Sequence, residues 1–371
     1  MKFYCKQQDI LTEIIYSMDF TQQRSSLSIL SNIYLEAQNN SLLIKATDNA
    51  TGFSTQIPAE TEEEGNTTVY GEKLLEILRL LPSDANILFE TKDHSMTITP
   101  QGSNIKFISS LRVIDGAEFP MMENSGDVPF FTIGQKPFVG MADQTIFSVS
   151  TDETRHYLCG LYLEKTQTGL NLVATDGRRL SIVERKFSEQ IPDFKPIIVP
   201  TKFFTELKKL STGEGTFDLC LKENVIFAKM GNRFFYSTLI KGQYPDYHRV
   251  IPQEQTSHCL ISIKDMVDAI KRVSVAIESK VCKMYIQVTS NELTLFSEEN
   301  ELGEANEKIP CQYEGNECVI SLNYQYLLAP LKVMEGEKFT LNFTTPSRAL
   351  TLCPEGEHDY FHLVMPMQPN S

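Results

Sequence analysis

The chain has 371 residues, 41% hydrophobic and 22% charged, a balance that excludes a disordered chain and allows two or three domains. No apolar run approaches the roughly 18 residues that span a bilayer, and Met1-Lys2-Phe3-Tyr4-Cys5-Lys6 turns polar at Gln7 without a secretory stretch, so a cytoplasmic protein with no membrane partner is expected. The net charge of −14 opposes a nucleic-acid partner only if that charge is spread evenly.

In chain order, the first predicted helix covers residues 5–18, with Ile10, Leu11, Ile14, Ile15 and Met18 on one face. Two alternating segments follow, Ile33-Tyr34-Leu35-Glu36 and Ser41 to Asp48, joined by a polar turn as a β-hairpin. A helix over 71–81 carries Leu74, Leu75, Leu78 and Leu81, and further strands lead to Glu118-Phe119-Pro120. The polar stretch Asn124-Ser125-Gly126-Asp127 marks a boundary.

The same order then recurs. A helix over 134–147, with the stripe Phe138, Val139, Ala142, Ile146 and Val149, precedes a hairpin beginning Leu161-Tyr162-Leu163-Glu164. A helix over 201–210 shows Phe203, Phe204, Leu207 and Leu210 behind Pro200, where a missing N–H does little harm. Strands end at Tyr244-Pro245-Asp246, and Pro252-Gln253-Glu254-Gln255 marks a second boundary. The third round has a helix over 262–277 (Met266, Val267, Ile270, Val273, Ile277) and a hairpin from Met284-Tyr285-Ile286-Gln287. Its second helix, over 321–334, carries Leu327, Leu328, Leu331 and Met334, and the strands end at Met365-Pro366-Met367. Pro330 inside that helix predicts a kink or an early end.

The three hairpins start 128 and 123 residues apart, a period that reads as one module written three times. The predicted fold class is α+β, with two amphipathic helices laid on antiparallel sheets in each of three domains, 1–126, 127–254 and 255–371. The six predicted helices hold 11 Lys and Arg against 8 Asp and Glu, net +3, leaving −17 elsewhere. Positive charge gathered on helices can meet phosphates, although solvated helix faces also account for it. Eight cysteines are scattered without a C-x-x-C pair, which predicts buried free thiols and neither disulfides nor zinc. His358 and His362 lie about 13 Å apart along a strand, too far to share a metal, so no metal or cofactor is expected.

Several strings resemble the bacterial DNA polymerase III beta subunit family, the replication sliding clamps, in order along residues 1 to about 367. They are Met1-Lys2-Phe3, Arg24 with Leu27-Ser28-Ile29-Leu30, Glu118-Phe119-Pro120, Arg155 to Gly160, Ala174-Thr175-Asp176-Gly177-Arg178-Arg179-Leu180, Ile198-Val199-Pro200, Gly242 to Tyr247 with Arg249-Val250, and Val364-Met365-Pro366-Met367. The resemblance implies three clamp domains per chain, paired head-to-tail with a second copy into a six-domain ring, with the helices lining the hole. Twelve helices spaced about 10 Å apart give a circumference near ~120 Å and a bore of roughly 28 Å, enough for a duplex with a water layer.

By the same resemblance, a shallow pocket for short linear peptides is formed by Leu158, Thr175, Gly177, Arg178, Arg179, Leu180, Pro245, Arg249, Val250, Val364, Met365, Pro366 and Met367, with Asn323 and Tyr326 on its rim. Read alone, Thr175-Asp176-Gly177 is a hairpin turn. The implied partners are encircled double-stranded DNA, replicative and translesion polymerases, a clamp loader, mismatch-repair and other clients, and a second copy of the chain. Arg24 and Lys202 match DNA-contacting positions; Lys136, Lys208, Lys209, Lys264, Lys271, Arg272 and Lys332 are further candidates by helix placement alone. Phe107 and Val275-Ala276-Ile277 fall near the family's subunit seam. The chain departs from the family pattern at Arg178 (usually His), Cys159 (usually Asn), Ser25 and Ser28 (usually Pro) and the tail Gln368-Pro369-Asn370-Ser371. The expected role is a non-enzymatic processivity factor; the competing readings are a cytoplasmic enzyme using Asp176 or a histidine, and a peptide-binding scaffold without a ring. No P-loop, H-E-x-x-H or G-x-S-x-G motif supports the enzyme.

Overall fold

A computed structural model describes residues 1–22, 28–102, 106–301, 303–356 and 359–367. The module seen in the sequence is visible three times as strand, helix, hairpin and further strands, helix, three strands. Its helices are α1 (Gln7–Met18), α2 (Gly71–Leu80), α3 (Gln135–Asp143), α4 (Thr201–Leu210), α5 (Ile263–Val273) and α6 (Tyr324–Leu331). Each follows directly on a strand, for example Lys2–Lys6 before α1 and Cys318–Asn323 before α6. The hairpins pair Leu35 with Ile44, Leu163 with Leu172 and Ile286 with Leu295.

The chain folds into two compact units, Met1–Ile133 with Thr216–Leu239, and Gly134–Gly215 with Ile240–Ser371. The middle module is therefore divided. Its last three strands (Thr216–Lys222, Val225–Met230, Arg233–Thr238) join the first unit, where Phe235 pairs with Phe53 of strand Thr51–Pro58. In the second unit, the last strand of the third module, Tyr360–Val364, pairs in the same way with Arg179–Lys186 of the middle module, Leu363 opposite Leu180. The pairing rule is the same both times: the last strand of one module joins the third hairpin-side strand of the module before it.

The apolar helix stripes face the cores as their spacing predicts. Ile10 and Ile14, Leu74 and Leu78, Phe138 and Ala142, all four α4 residues, Met266, Ile270 and Val273, and Leu327 and Leu331 are buried. Ile15 is the exception, 41% exposed, because α1 turns the polar Glu13 inward. Glu13 makes a two-pronged ion pair with Arg233 (2.7–3.2 Å), whose guanidinium also lies 4.4 Å from the ring centre of Tyr16. All eight cysteines are free thiols, six of them buried.

Four of the predicted helices change a bound by more than one residue. Residues 5 and 6 belong to the first strand, and α3 ends at Asp143, followed by a short 3-10 turn at Ile146–Ser148. Helix α5 ends at Val273 and continues as a 3-10 turn, Ser274–Ala276. Helix α6 starts at Tyr324, capped by Asn323 Oδ1 accepting from Gln325 N–H at 2.9 Å, and stops one residue after Pro330, the early end that proline foretells. Over the observed spans the helices hold nine Lys and Arg against eight Asp and Glu, net +1 and not +3, because Lys6 lies in a strand and Lys332 past α6. Helices α1 and α2 are together net −2, so the positive excess lies on α3–α6.

Candidate functional site

Strand Gly169–Thr175 returns as Arg179–Lys186 through a turn that its own side chains hold. Asp176 Oδ1 accepts from the N–H groups of Arg178 (2.8 Å) and Arg179 (3.1 Å). Thr175 Oγ1 accepts from Gly177 N–H (3.0 Å) and donates to the Arg179 carbonyl (2.6 Å). Gly177 sits at φ +88°, where a side chain would be strained. Asp176 Oδ2 also receives Nε of Arg179 at 3.0 Å, and the guanidinium lies 4.5 Å from the ring centre of Tyr326 and 5.9 Å from that of Phe147.

Beside this turn is a cleft of about 250 Å³ inside the second unit. Leu158, Leu180, Pro245, Val250, Leu363 and Met365 supply its apolar surface, and Thr175, Arg178, Arg179 and Asp246 its polar edge. Its floor is stiff. Tyr244 stacks on Tyr162 with centroids 4.6 Å apart, and the Tyr247 hydroxyl bonds to Glu164. Burial pushes both Tyr244 and Tyr247 hydroxyls upward, so they remain neutral donors. Residues 365–367 are clipped beside the cleft: Met365 N–H donates to the Arg178 carbonyl (2.9 Å), Met367 N–H to the Ser321 carbonyl (2.8 Å), and Ser321 Oγ to the Met367 carbonyl (2.6 Å).

Of the residues named from the sequence, Leu158, Thr175, Gly177, Arg178, Arg179, Leu180, Pro245, Val250 and Met365 come together on the cleft. The others stand around it. Arg249 points outward, 83% exposed and paired with Asp246 at 2.9 Å. Val364 is fully buried at the end of its strand, Asn323 caps α6, and Tyr326 lies beneath Arg179. Pro366 and Met367 lie in the clipped segment. Sequence reasoning missed Asp246, Tyr247 and Leu363. Leu363 was within reach, since it stands two residues before Met365, near the end of strand Tyr360–Val364.

The family descriptions "DNA polymerase III beta subunit" for the N-terminal, central and C-terminal domains match residues 1–123, 132–246 and 248–368. The chain belongs to this family. A beta sliding clamp of Treponema pallidum is 36% identical, the match covering 99% of this chain and all of the relative. A DNA polymerase sliding clamp from Bacillus subtilis superposes with a TM-score of 0.93 at 25% identity, covering 99% of both chains. A sliding clamp from Pseudomonas aeruginosa, solved bound to griselimycin, gives 0.92 at 26% identity over 99% of both.

Five of the helix cations named from the sequence have carboxylate partners. Lys208 pairs with Asp143 (2.6 Å), Lys209 with Glu206 (3.2 Å), Lys264 and Lys271 with Asp268 (3.3 and 3.9 Å), and Arg272 with Glu307 (2.8 Å). Solvent screens the exposed pairs among these, so they hold their cations only weakly. Lys136 and Lys332 are exposed and Lys202 half-buried; Arg24 lies outside the described residues. Near the other implied surface, Val275 is 81% exposed and Phe107 37%, Ile108 beside Phe107 is also exposed, and Ile277 is buried. His358 is outside the described residues, and among the described residues no cluster of three metal-ligating side chains occurs. No helix among them is long and apolar enough to cross a membrane.

Behind the cleft, His362 is fully buried, and burial together with the Arg179 charge holds its pKa down at about 3. An unfolded imidazole takes its proton near pH 6.5, so between those values the unfolded chain binds the proton and the folded chain does not. Stability from this residue is therefore complete above about pH 6.5 and declines as pH falls toward 3. Between pH 8 and pH 5 the expected loss is about 2 kcal/mol. Urea unfolding of the native chain and of His362→Gln at both pH values isolates it: the native chain should lose that much more than the variant.

Proposed function

We propose that this chain acts as a DNA sliding clamp: two copies close head-to-tail around duplex DNA, and polymerases are tethered through the apolar cleft beside Arg179. Family membership over the whole chain supports the clamp, and the cleft, with its convergent polar edge, supports the tether. The repeated pairing rule supports the homodimer. The first and middle modules each lend an edge, Thr51–Thr55 and Arg179–Val183, to the last strand of the next module. In the third module the corresponding residues, 306–310, pair among the described residues only with Glu292–Phe296. In the first module, Ser109–Arg112 pair among the described residues only with residues 95–98. By this pairing rule, and among the described residues, each copy leaves one edge unfilled and one strand unspent, which a second copy complements. Phe107 and Val275-Ala276-Ile277 flank these strands and form the proposed seam; the Ala276 carbonyl accepts from Asn300 Nδ2 at 2.8 Å, just ahead of residue 306.

Lys202 and Arg24, with the paired cations of α4 and α5, are the proposed DNA contacts. A clamp loader and repair clients are further proposed partners, reached through the same cleft. Asp176 is fully engaged in holding its turn and Arg179, which favours a binding role over a catalytic one for this residue.

Griselimycin serves as the probe of the cleft. Calorimetric titration is expected to show binding to the full chain and none to a variant ending at Val364, while sedimentation gives both twice the chain mass. Retained binding, or a truncated variant that has become monomeric, refutes the placement of the pocket.

A further inference from the structure

Pro330 has no N–H, so within α6 the carbonyl four residues earlier, that of Tyr326, lacks its helical donor. Its partner comes from elsewhere: His362 Nε2 lies 3.2 Å from the Tyr326 oxygen. A carbonyl can only accept, so Nε2 carries the proton, and in the neutral ring Nδ1 is left as an acceptor. Nδ1 lies 2.7 Å from Ser181 Oγ, which must therefore donate to it. Ser181 Oγ in turn is 2.7 Å from Ser148 Oγ, so Ser148 donates to Ser181. One directed chain of hydrogen bonds runs Ser148 to Ser181 to His362 to the Tyr326 carbonyl, its first two links buried and its last part-buried, with every polarity fixed by that one carbonyl.

The chain crosses from the middle module to the third. Ser148 follows α3 and Ser181 lies in the strand that begins at Arg179; His362 lies one residue before Leu363 of the cleft, and Tyr326 in α6. The residues it orders are those that aim Arg179: the guanidinium lies over Tyr326, and Phe147 packs 5.6 Å from the His362 ring.

We propose that His362 is a positioning residue of the cleft: it replaces the N–H that Pro330 lacks, and so fixes Tyr326 and α6 against the strand that carries Arg179. The role rests on the cleft being the ligand pocket, and it is tested separately from that reading. His362→Phe keeps much of the volume but neither donates nor accepts, and should weaken griselimycin binding roughly tenfold. His362→Gln offers an amide donor and a carbonyl acceptor and should recover most of that loss. In Pro330→Ala the backbone again supplies an N–H to Tyr326, so His362→Phe in that background should cost only about threefold. A group that merely fills space would show equal losses in both backgrounds and no rescue by glutamine.

Wild-type affinity in His362→Phe, or no coupling to Pro330→Ala, overturns the proposal. If His362→Phe does not fold, nitrogen NMR of the native chain decides, since a proton found on Nδ1 breaks the chain of donors. A native chain that does not bind griselimycin at all counts against the pocket reading, whereas the tautomer and the coupling, then read in thermal midpoints, still report on the hydrogen bonds.

Discussion

Loaded onto a closed circular plasmid, the protein should stay bound for at least on the order of 100 times longer than on the same plasmid cut once. Gel filtration of radiolabelled protein with circular and linear DNA reads the two lifetimes directly. The expectation follows from how its cations are held. Lys208, Lys264, Lys271 and Arg272 already have carboxylate partners at 2.5–3.9 Å, so a phosphate that engages one of them must displace a carboxylate, and such contacts are expected to be loose. A protein held by such contacts alone loses affinity steeply with salt. One held because its ring is closed does not, so raising salt from about 50 to 200 mM should strip it from neither intact circles nor blocked ends. Equal lifetimes on circular and linear DNA are incompatible with encirclement.

Replacing Glu13 with alanine should destabilise the first unit by about 3–5 kcal/mol, measured by urea unfolding at neutral pH. Glu13 and Arg233 are both largely buried, with side chains 7% and 19% exposed, and three hydrogen bonds join them. Removing the carboxylate leaves a largely buried guanidinium that cannot lose its proton, beside the Tyr16 ring. The double replacement Glu13→Leu with Arg233→Met should recover much of the loss, because the cost comes from the orphaned charge and not from the loss of a favourable pair. A loss below about 1 kcal/mol for Glu13→Ala would mean that the pair is solvated in solution.

The pattern of elements was legible because it is local. Apolar spacing located all six helices, and the period of the hairpins disclosed the threefold repeat. What the spacing could not carry was long-range. Ile15 fits the stripe of α1 but is displaced outward because Glu13 turns in to meet Arg233, 220 residues away. Pro330 announced the end of α6, yet nothing near it in sequence says that His362 would take up the stranded carbonyl. The charge count overshot because Lys6 and Lys332 lie just outside the helices, where boundaries are least certain from sequence. At the cleft, nine of the fifteen named residues line the surface. Arg249, Asn323 and Tyr326 act from outside it, as an exposed ion pair, a helix cap and a support for Arg179, functions that depend on neighbours the sequence does not reveal.

The pairing of Phe235 with Phe53 and of Leu363 with Leu180 means that cutting at the borders of the repeat would sever sheets, not linkers. A middle segment excised on its own would lose the partners of its strands at both ends. The text of the chain repeats in whole modules, while its sheets run across their borders.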